Sequence, residues 1–202
     1  ITNQIGLQLN HSSKKLFGVN ILTLGTEIIS DNIDDEISSY NYLINQKVNS
    51  LGSFFQSDWS LTKKINLLSG VRIDKHSMLD DLVFSPRYSL MYHFKKKTQF
   101  RLSYSTGFRA PQAFDTDLHI AFAGGGISRV LLSDNLKEEK SSSVSASINY
   151  DKVAMRYLFG VTLEGFKTVL NNAFYLYPMG EDEFGELFEK RNGSGATVQG
   201  LT

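Results

Sequence analysis

Side chains that could contact a ligand are concentrated between residues 112 and 135 of the 202-residue chain. Asp115, Asp117 and His119 stand at alternate positions, so on an extended segment they would share one face and offer oxygen and imidazole ligands. The simpler interpretation is that these three side chains hydrogen-bond and shape the base of a loop, and we favour it. The candidates for substrate contact are Phe114, Asp115, Asp117, His119 and Arg129.

Other catalytic and ligand-binding motifs match this sequence poorly. None of the four histidines lies in a G-x-S-x-G or H-E-x-x-H setting, and there is no cysteine. Gly124-Gly125-Gly126 lacks the Lys and Ser/Thr of a phosphate-binding loop. The acidic run from Asp31 to Glu36 does not have the spacing of an EF-hand and is interpreted as a solvated loop. We therefore predict no catalytic residue, no resident metal and no cofactor.

The overall charge and hydropathy narrow the classes of function. The 21 basic and 21 acidic side chains balance to a formal net charge of zero, which gives no electrostatic reason to expect nucleic-acid binding. No apolar run approaches the roughly 20 residues of a membrane-spanning helix. Aromatic residues are plentiful, with 14 Phe, 9 Tyr and 1 Trp.

Residues 98–109 alternate with a period of two, which predicts a strand with one apolar and one polar face. Such a strand is typical of a sheet that has lipid on one side and water on the other. We expect Leu90, Leu102, Ile148 and Val161 to face lipid. Arg101 and Ser145 should face the opposite, aqueous side.

The connections between the predicted strands alternate in length. Short turns are expected near residues 14, 63, 96 and 151, and long loops near 38, 78, 124 and 183. In an up-and-down sheet this places all short turns on one rim, as in outer-membrane barrels. Eight strands and a partial ninth are predicted, with residues 3–13 and 195–202 at the edges. A soluble antiparallel sandwich is the alternative architecture.

Several motifs resemble the TonB-dependent outer-membrane receptors. They are Ser85-Pro86-Arg87, Tyr104-Ser105-Thr106-Gly107-Phe108-Arg109-Ala110-Pro111, Asp117-Leu118-His119, and Asn135-Leu136-Lys137-Glu138-Glu139-Lys140-Ser141. The last departs from the family pattern, because it lacks a Pro and places Lys140 before Ser141. The similarity is greatest to the Bacteroidota branch often labelled ferric-siderophore or cobalamin receptors.

This resemblance implies an all-β, antiparallel up-and-down transmembrane β-barrel. Residues 1–202 would form an incomplete segment of it, a curved open sheet of about eight to nine strands, with the plug domain and the TonB box outside this chain. The implied function is active uptake of a scarce nutrient, a ferric siderophore or cobalamin, across the outer membrane of a Gram-negative bacterium. The implied partners are the TonB energy-coupling complex, the small-molecule substrate and outer-membrane lipid. A passive porin-type channel and a barrel-bound hydrolase are the alternatives.

Four arginines on the predicted aqueous face would then line the lumen of the barrel. The resemblance implies that they contact the plug, each other or lumen water. The alternative is an internal ladder of ion pairs with Asp58, Asp74 and Glu164, and both possibilities stay open at this point. The arginines are Arg72, Arg87, Arg101 and Arg109.

Overall fold

The computed structural model describes residues 1–14, 17–38, 42–95, 97–111, 129–183 and 185–202. None of these segments forms a helix with the length and apolar character needed to cross a membrane. The strands of the described residues are β1 (Thr2–Ser13), β2 (Val19–Ile37), β3 (Tyr42–Ser60), β4 (Ile65–His76), β5 (Val83–Lys95), β6 (Thr98–Arg109), β7 (Arg129–Leu132), β8 (Glu139–Ala154), β9 (Tyr157–Asn171), β10 (Phe174–Asp182), β11 (Gly185–Asn192) and β12 (Ala196–Leu201).

Nine strands form one open sheet in the order β1-β2-β3-β4-β5-β6-β8-β9-β12. Every neighbouring pair in this sheet is antiparallel. The prediction of an up-and-down arrangement with eight strands and a ninth is confirmed. Its edges are β1 and β12, as the sequence pattern indicated.

In the central strands, the register places apolar residues opposite apolar residues and hydroxyl residues opposite hydroxyl residues. Leu90 pairs with Leu102, and Leu102 pairs in turn with Ala146. One residue along the chain, Ser89 pairs with Ser103, and their hydroxyl oxygens lie 2.9 Å apart. Because successive side chains of a strand point to opposite faces, one face of the sheet is apolar and the other polar, in agreement with the predicted alternation.

The apolar face is left uncovered by the chain itself. Leu90, Leu102, Ile148 and Val161 are 40–50% exposed. Among the described residues only Val48, Val83 and Ala110 are fully buried hydrophobic side chains. Soluble monomers rarely expose so large a continuous apolar surface, and this feature favours a barrel wall over a sandwich with a closed core.

Two predicted connections are wrong in detail. The long loop expected at 30–47 is mostly strand, because β2 and β3 stay paired from Val19↔Ser60 to Ile37↔Tyr42. Polar side chains on both faces suggested a loop, but they are equally compatible with a hairpin that extends beyond the membrane into water.

The short turn expected at Asp151-Lys152 lies later in the chain. These residues remain in β8 and pair with Gly160 and Phe159, and the turn falls at Met155-Arg156. A side chain at position 160 would begin 2.9 Å from the carboxylate of Asp151. Glycine at that position leaves room for the ladder to continue.

The last long connection also contains more order than the sequence suggested. Residues 174–192 form the hairpin β10–β11, and β7 pairs with β11 in parallel to complete a three-stranded sheet. Gly180 and Gly185 have φ values of +119° and +136°, which glycine adopts without strain. They allow the irregularity after Pro178 and the turn into β11.

The two rims of the main sheet differ as predicted except at the β2–β3 connection, which is as short as those of the opposite rim. At one rim lie the strand ends that join β1 to β2, β3 to β4, β5 to β6 and β8 to β9. At the other lie those that join β2 to β3, β4 to β5, β6 to β8 and β9 to β12. The small sheet of β7, β10 and β11 belongs to the second rim, which we call the long-loop rim.

Candidate functional site

Most of the predicted contact residues cannot be placed. Phe114, Asp115, Asp117 and His119 lie outside the described residues. Arg129 begins β7, and its backbone pairs with Leu187 of β11. Within the described part of the chain, no group of three or more His, Asp or Glu side chains is arranged to hold a metal ion.

The end of β6 is fastened to the base of the β10–β11 hairpin. Arg109 forms an ion pair with Glu139 of β8, 3.3 Å between Nε and Oε1. The other oxygen of Glu139 accepts a hydrogen bond of 2.9 Å from the backbone N–H of Phe174. The Arg109 guanidinium also lies 5.1 Å from the centre of the Phe174 ring. The strand that carries the Phe-Arg-Ala-Pro motif is therefore joined directly to the first residue of β10.

Asn192 closes the same junction from the other strand of the hairpin. Its side-chain amide donates to the carbonyls of Lys137 (3.0 Å) and Asn172 (2.8 Å). Its side-chain oxygen accepts from the backbone N–H of Lys137 at 2.8 Å. The buried Lys190 places its ammonium 4.8 Å from the centre of the Phe174 ring. These contacts hold the hairpin against the segment that returns the chain to β8.

A further ion pair lies beside this junction, where the chain enters β8. Glu138 accepts a hydrogen bond from Lys140, 2.6 Å between Oε1 and Nζ. Burial alone would raise the pKa of Glu138. The hydrogen bonds from Lys140 and from its own backbone N–H, together with the positive charges of Lys140 and Lys137, outweigh burial, so the pKa lies below its ordinary value. The carboxylate is therefore held in its charged form.

The sequence pattern did not identify this junction. Arg109 and Glu139 lie in two of the motifs that carry the family resemblance, but Asn192 lies far from both in the chain and in none of these motifs. The only signal was local: the Arg191-Asn192-Gly193-Ser194-Gly195 run has the composition of a turn. Gly195 has a φ of +102°, and a side chain there would begin 2.2 Å from the Leu170 carbonyl oxygen, so the tight return to β12 requires glycine.

A second set of charged residues lies on the polar face of β2, β3 and β4. Arg72 contacts Asp74 at 2.8 Å and Glu27 at 3.3 Å. Asp74 is only 4% exposed, and a side chain at Gly52 would begin 2.6 Å from its Oδ1. Asp74 is one of the three acids named in the alternative of an internal ladder, and Glu27 is a partner that the sequence did not indicate.

The other arginines of the predicted lumen do not extend this set into a ladder. Arg87 hydrogen-bonds the side-chain oxygen of Gln56, and the guanidinium of Arg101 lies 3.6 Å from the Met91 sulfur. Among the described residues, no ion pair joins Asp58 or Glu164 to an arginine. Of the three acids in the alternative of an internal ladder, Asp74 alone contacts an arginine within the described residues. The contacts of Arg72 with Glu27 and of Arg87 with Gln56 each reach across an intervening strand.

Comparison with known proteins identifies the family. The family described as "TonB dependent receptor-like, beta-barrel" matches residues 1–202. A search of curated protein sequences finds no significant match. Solved structures that resemble the chain include the siderophore receptor PirA of Pseudomonas aeruginosa, with a TM-score of 0.83, 19% identity, and coverage of 99% of this chain and 38% of that one.

Two further structures show the same relation. The ferric enterobactin receptor PfeA of Pseudomonas aeruginosa has a TM-score of 0.73 and 19% identity, with coverage of 99% of this chain and 32% of that one. The alcaligin outer-membrane receptor FauA of Bordetella pertussis has a TM-score of 0.66 and 18% identity, with coverage of 99% and 34%. The chain thus spans between about three-tenths and four-tenths of the length of these three proteins. It belongs to the TonB-dependent receptor family, as a segment of the β-barrel.

Proposed function

We propose that the whole protein is an outer-membrane receptor of a Gram-negative bacterium that takes up a ferric siderophore by TonB-coupled transport. The observation that carries this proposal is the match of the barrel family to the entire chain. The printed names of the similar structures describe receptors for siderophores, among them ferric enterobactin and alcaligin. They support a ferric siderophore over cobalamin as the substrate class.

In this proposal the nine-stranded sheet forms part of the barrel wall, and the long-loop rim faces the outside of the cell. The apolar face contacts outer-membrane lipid, and the polar face lines the lumen. The substrate is captured at the long-loop rim. The rest of the protein supplies the plug, and the cell supplies the TonB energy-coupling complex. Loops on a rigid scaffold commonly carry binding residues.

The junction of Arg109, Glu139 and Asn192 gives this capture a structural basis. It fixes both ends of the connection 110–138, through Arg109 and Lys137, to the base of the β10–β11 hairpin. Within the connection, β7 pairs with β11 of the same hairpin. A substrate that contacts the connection 110–138 or the β10–β11 hairpin would then affect the position of the other segment as well. The proposed contact residues remain Phe114, Asp115, Asp117, His119 and Arg129.

Uptake by intact cells tests the proposal. A strain lacking the full-length gene would be compared with the complemented strain for growth under iron limitation on a panel of ferric siderophores, and for ⁵⁵Fe accumulation. The expected result is loss of uptake of one siderophore, and the same loss when the TonB coupling protein is removed. Uptake that survives removal of the coupling protein would instead support a passive channel.

The loop itself is tested by deletion of residues 121–130 in the full-length receptor. We expect normal surface abundance with reduced uptake, because the deletion shortens the connection that reaches the rim but leaves the wall strands intact. Normal abundance together with undiminished uptake would remove this connection from substrate capture.

A further inference from the structure

A small group of buried side chains lies on the polar face of the sheet, where β3, β4 and β5 reach the long-loop rim. The register places Ser50 opposite His76 and Val83 opposite Asp74. The connection 77–82, which joins β4 to β5, meets the sheet here, and its Met78 sulfur lies 3.9 Å from the side-chain nitrogen of Gln46. We call this group the rim cluster, and its members, each at most 9% exposed, are Gln46, Val48, Asp74, His76 and Val83.

His76 lies beyond the part of β4 that faces lipid. On the apolar face of this strand Ile73 is the last apolar residue towards the rim, and Lys75 follows it. The ammonium of Lys75 donates to the backbone carbonyls of Leu79 and Asp80, so this side chain already contacts the connection. His76 is the last residue of the strand and therefore belongs to the rim.

Three consecutive backbone N–H groups fasten the connection to the strands. That of Ser77 donates to the carbonyl of Asn49 at 2.8 Å, and the Ser77 hydroxyl accepts from the N–H of Asn49 at 3.0 Å. The N–H of Met78 donates to Nδ1 of the His76 ring at 3.2 Å. The N–H of Leu79 donates to the His76 carbonyl at 3.1 Å. His76 thus holds the turn with its ring as well as with its backbone.

The contact with Met78 fixes the protonation state of the imidazole. A backbone N–H can only donate, so Nδ1 must be the unprotonated nitrogen of a neutral ring. A proton added to Nδ1 would point at the N–H of Met78 and replace the hydrogen bond with a repulsion between two donors. Burial also opposes the added charge, because it lowers the pKa of His76 from its ordinary value, and the negative charge of Asp74 offsets only part of this effect.

The charged groups around His76 are already engaged where they are nearest in the chain. Both carboxylate oxygens of Asp74 accept from Nε of Arg72, at 2.8 and 3.1 Å, so a charged imidazole would compete with Arg72 for this acid. The members of the rim cluster from β3 and β5 are uncharged. The charged side chains on the surrounding elements are, on the polar face, Glu27, Asp31, Arg72 and Asp74 and, in the connection, the exposed Asp80 and Asp81.

We propose that His76 is a pH-dependent switch, which holds the connection 77–82 against β3 when its ring is neutral and releases the connection when its ring is protonated. On release, Ser77 separates from Asn49 and Met78 from Gln46, and the rim cluster opens to water. The inference rests on the proposed function only for the side of the membrane that is sensed, because the long-loop rim then responds to acidity outside the cell.

The direction of the effect follows from proton linkage. Because the pKa of His76 is lower in the closed form than its ordinary value of 6.5, the open form binds the proton more readily. The closed form therefore has its full stability above the ordinary value and loses it as the pH falls through the lowered one. Histidine is the side-chain type that ordinarily titrates between pH 5 and 8, so this interval isolates its contribution.

Hydrogen exchange of the purified full-length receptor in detergent tests the switch, with each rate divided by the intrinsic exchange rate at the same pH. Between about pH 7.5 and about pH 5, protection of the amides of residues 77–79 should fall by about tenfold or more. The turn 61–64 is also closed by hydrogen bonds but contains no histidine, and it should keep its protection. Unchanged protection of residues 77–79, or an equal loss in both segments, would overturn the proposal.

Two substitutions assign the effect to the His76 ring. In His76→Asn the side-chain oxygen replaces Nδ1 as the acceptor for Met78 but does not titrate, so protection of residues 77–79 should no longer depend on pH. His93→Asn removes a histidine at the opposite rim, where the N–H of His93 donates to the Lys64 carbonyl, and this control should respond to pH as wild type does. A loss of protection in His76→Asn as large as that in wild type would contradict the assignment.

The comparison of the two segments within wild type remains decisive if His76→Asn does not assemble, because it needs no substitution. None of these readouts measures uptake or depends on which rim faces the outside of the cell. Failure of the switch is therefore distinct from failure of the proposed function.

Discussion

Replacing Leu102 with arginine should prevent normal assembly of the receptor, whereas the same change at Ser145 should be tolerated. Leu102 lies between Leu90 and Ala146 on the apolar face, and Gly165 follows in the same row. None of these neighbours could pair with an introduced guanidinium. A charge near the midplane of the lipid face costs about 2–4 kcal/mol, which corresponds to roughly 30- to 700-fold in the folding equilibrium.

Ser145 provides the matched control on the other face. It pairs with Ser103 and Phe166, and Glu164 lies two residues from Phe166 on the same face of the adjacent strand. An arginine there would reach lumen water and a carboxylate, so its cost should be small. Heat-modifiable mobility and urea titration of the two full-length variants, refolded into lipid vesicles, measure the difference. Equal assembly of the two would refute the assignment of the faces.

Three further outcomes are expected. Asn192→Ala removes three hydrogen bonds to Lys137 and Asn172, so amide exchange in the β10–β11 hairpin should accelerate by about tenfold or more, while exchange in β6 stays unchanged. Equal protection of the hairpin in Asn192→Ala and wild type would contradict the proposed role of the junction. Because the pKa of Glu138 is lower in the folded protein than its ordinary value, its contribution to stability is present above the unfolded value and lost as the pH falls through the folded one. On acidification, the free energy of unfolding measured by urea titration should therefore fall less for Glu138→Gln than for wild type. Parallel pH profiles of the two proteins would argue against a stabilising Glu138 carboxylate. Residues 1–202 alone should be polydisperse without detergent because two sheet edges and the apolar face are open, and a compact monomer by light scattering would favour a sandwich.

The wall strands were predictable because their signal is local and repeated. Alternation in residues 98–109 and 141–150 fixes which side chains share a face, and a register slip of one residue would reverse every one of them. The predicted lengths of the connections then indicate which strand ends share a rim, and this assignment needs no knowledge of long-range contacts. This is why the sheet order and its edges agree with the sequence pattern.

The junction and the parallel pairing at the long-loop rim could not be predicted in the same way. Leu187 of β11 pairs with Arg129 of β7, which comes from a different connection, and no alternation in either segment specifies that partner. Asn192 acts through backbone groups of Lys137 and Asn172, and any sequence offers such groups. The sequence allowed an ion pair of Arg72 with Asp74, because the two side chains lie on the same face of one strand, but it did not indicate Glu27, which lies two strands away.

Labelling of single cysteines on intact cells tests most directly whether these strands cross the outer membrane with the long-loop rim outside. Asp134 lies exposed in the connection 110–138, and Lys63 lies exposed in the short turn 61–64. Residues 1–202 contain no cysteine. In a full-length receptor in which any cysteine outside these residues is replaced by serine, Asp134→Cys and Lys63→Cys would each report one rim to an impermeant thiol reagent. We predict labelling of Asp134→Cys on intact cells and of Lys63→Cys only after the outer membrane is permeabilised. The reverse pattern, or equal labelling of both positions on intact cells, would contradict the account.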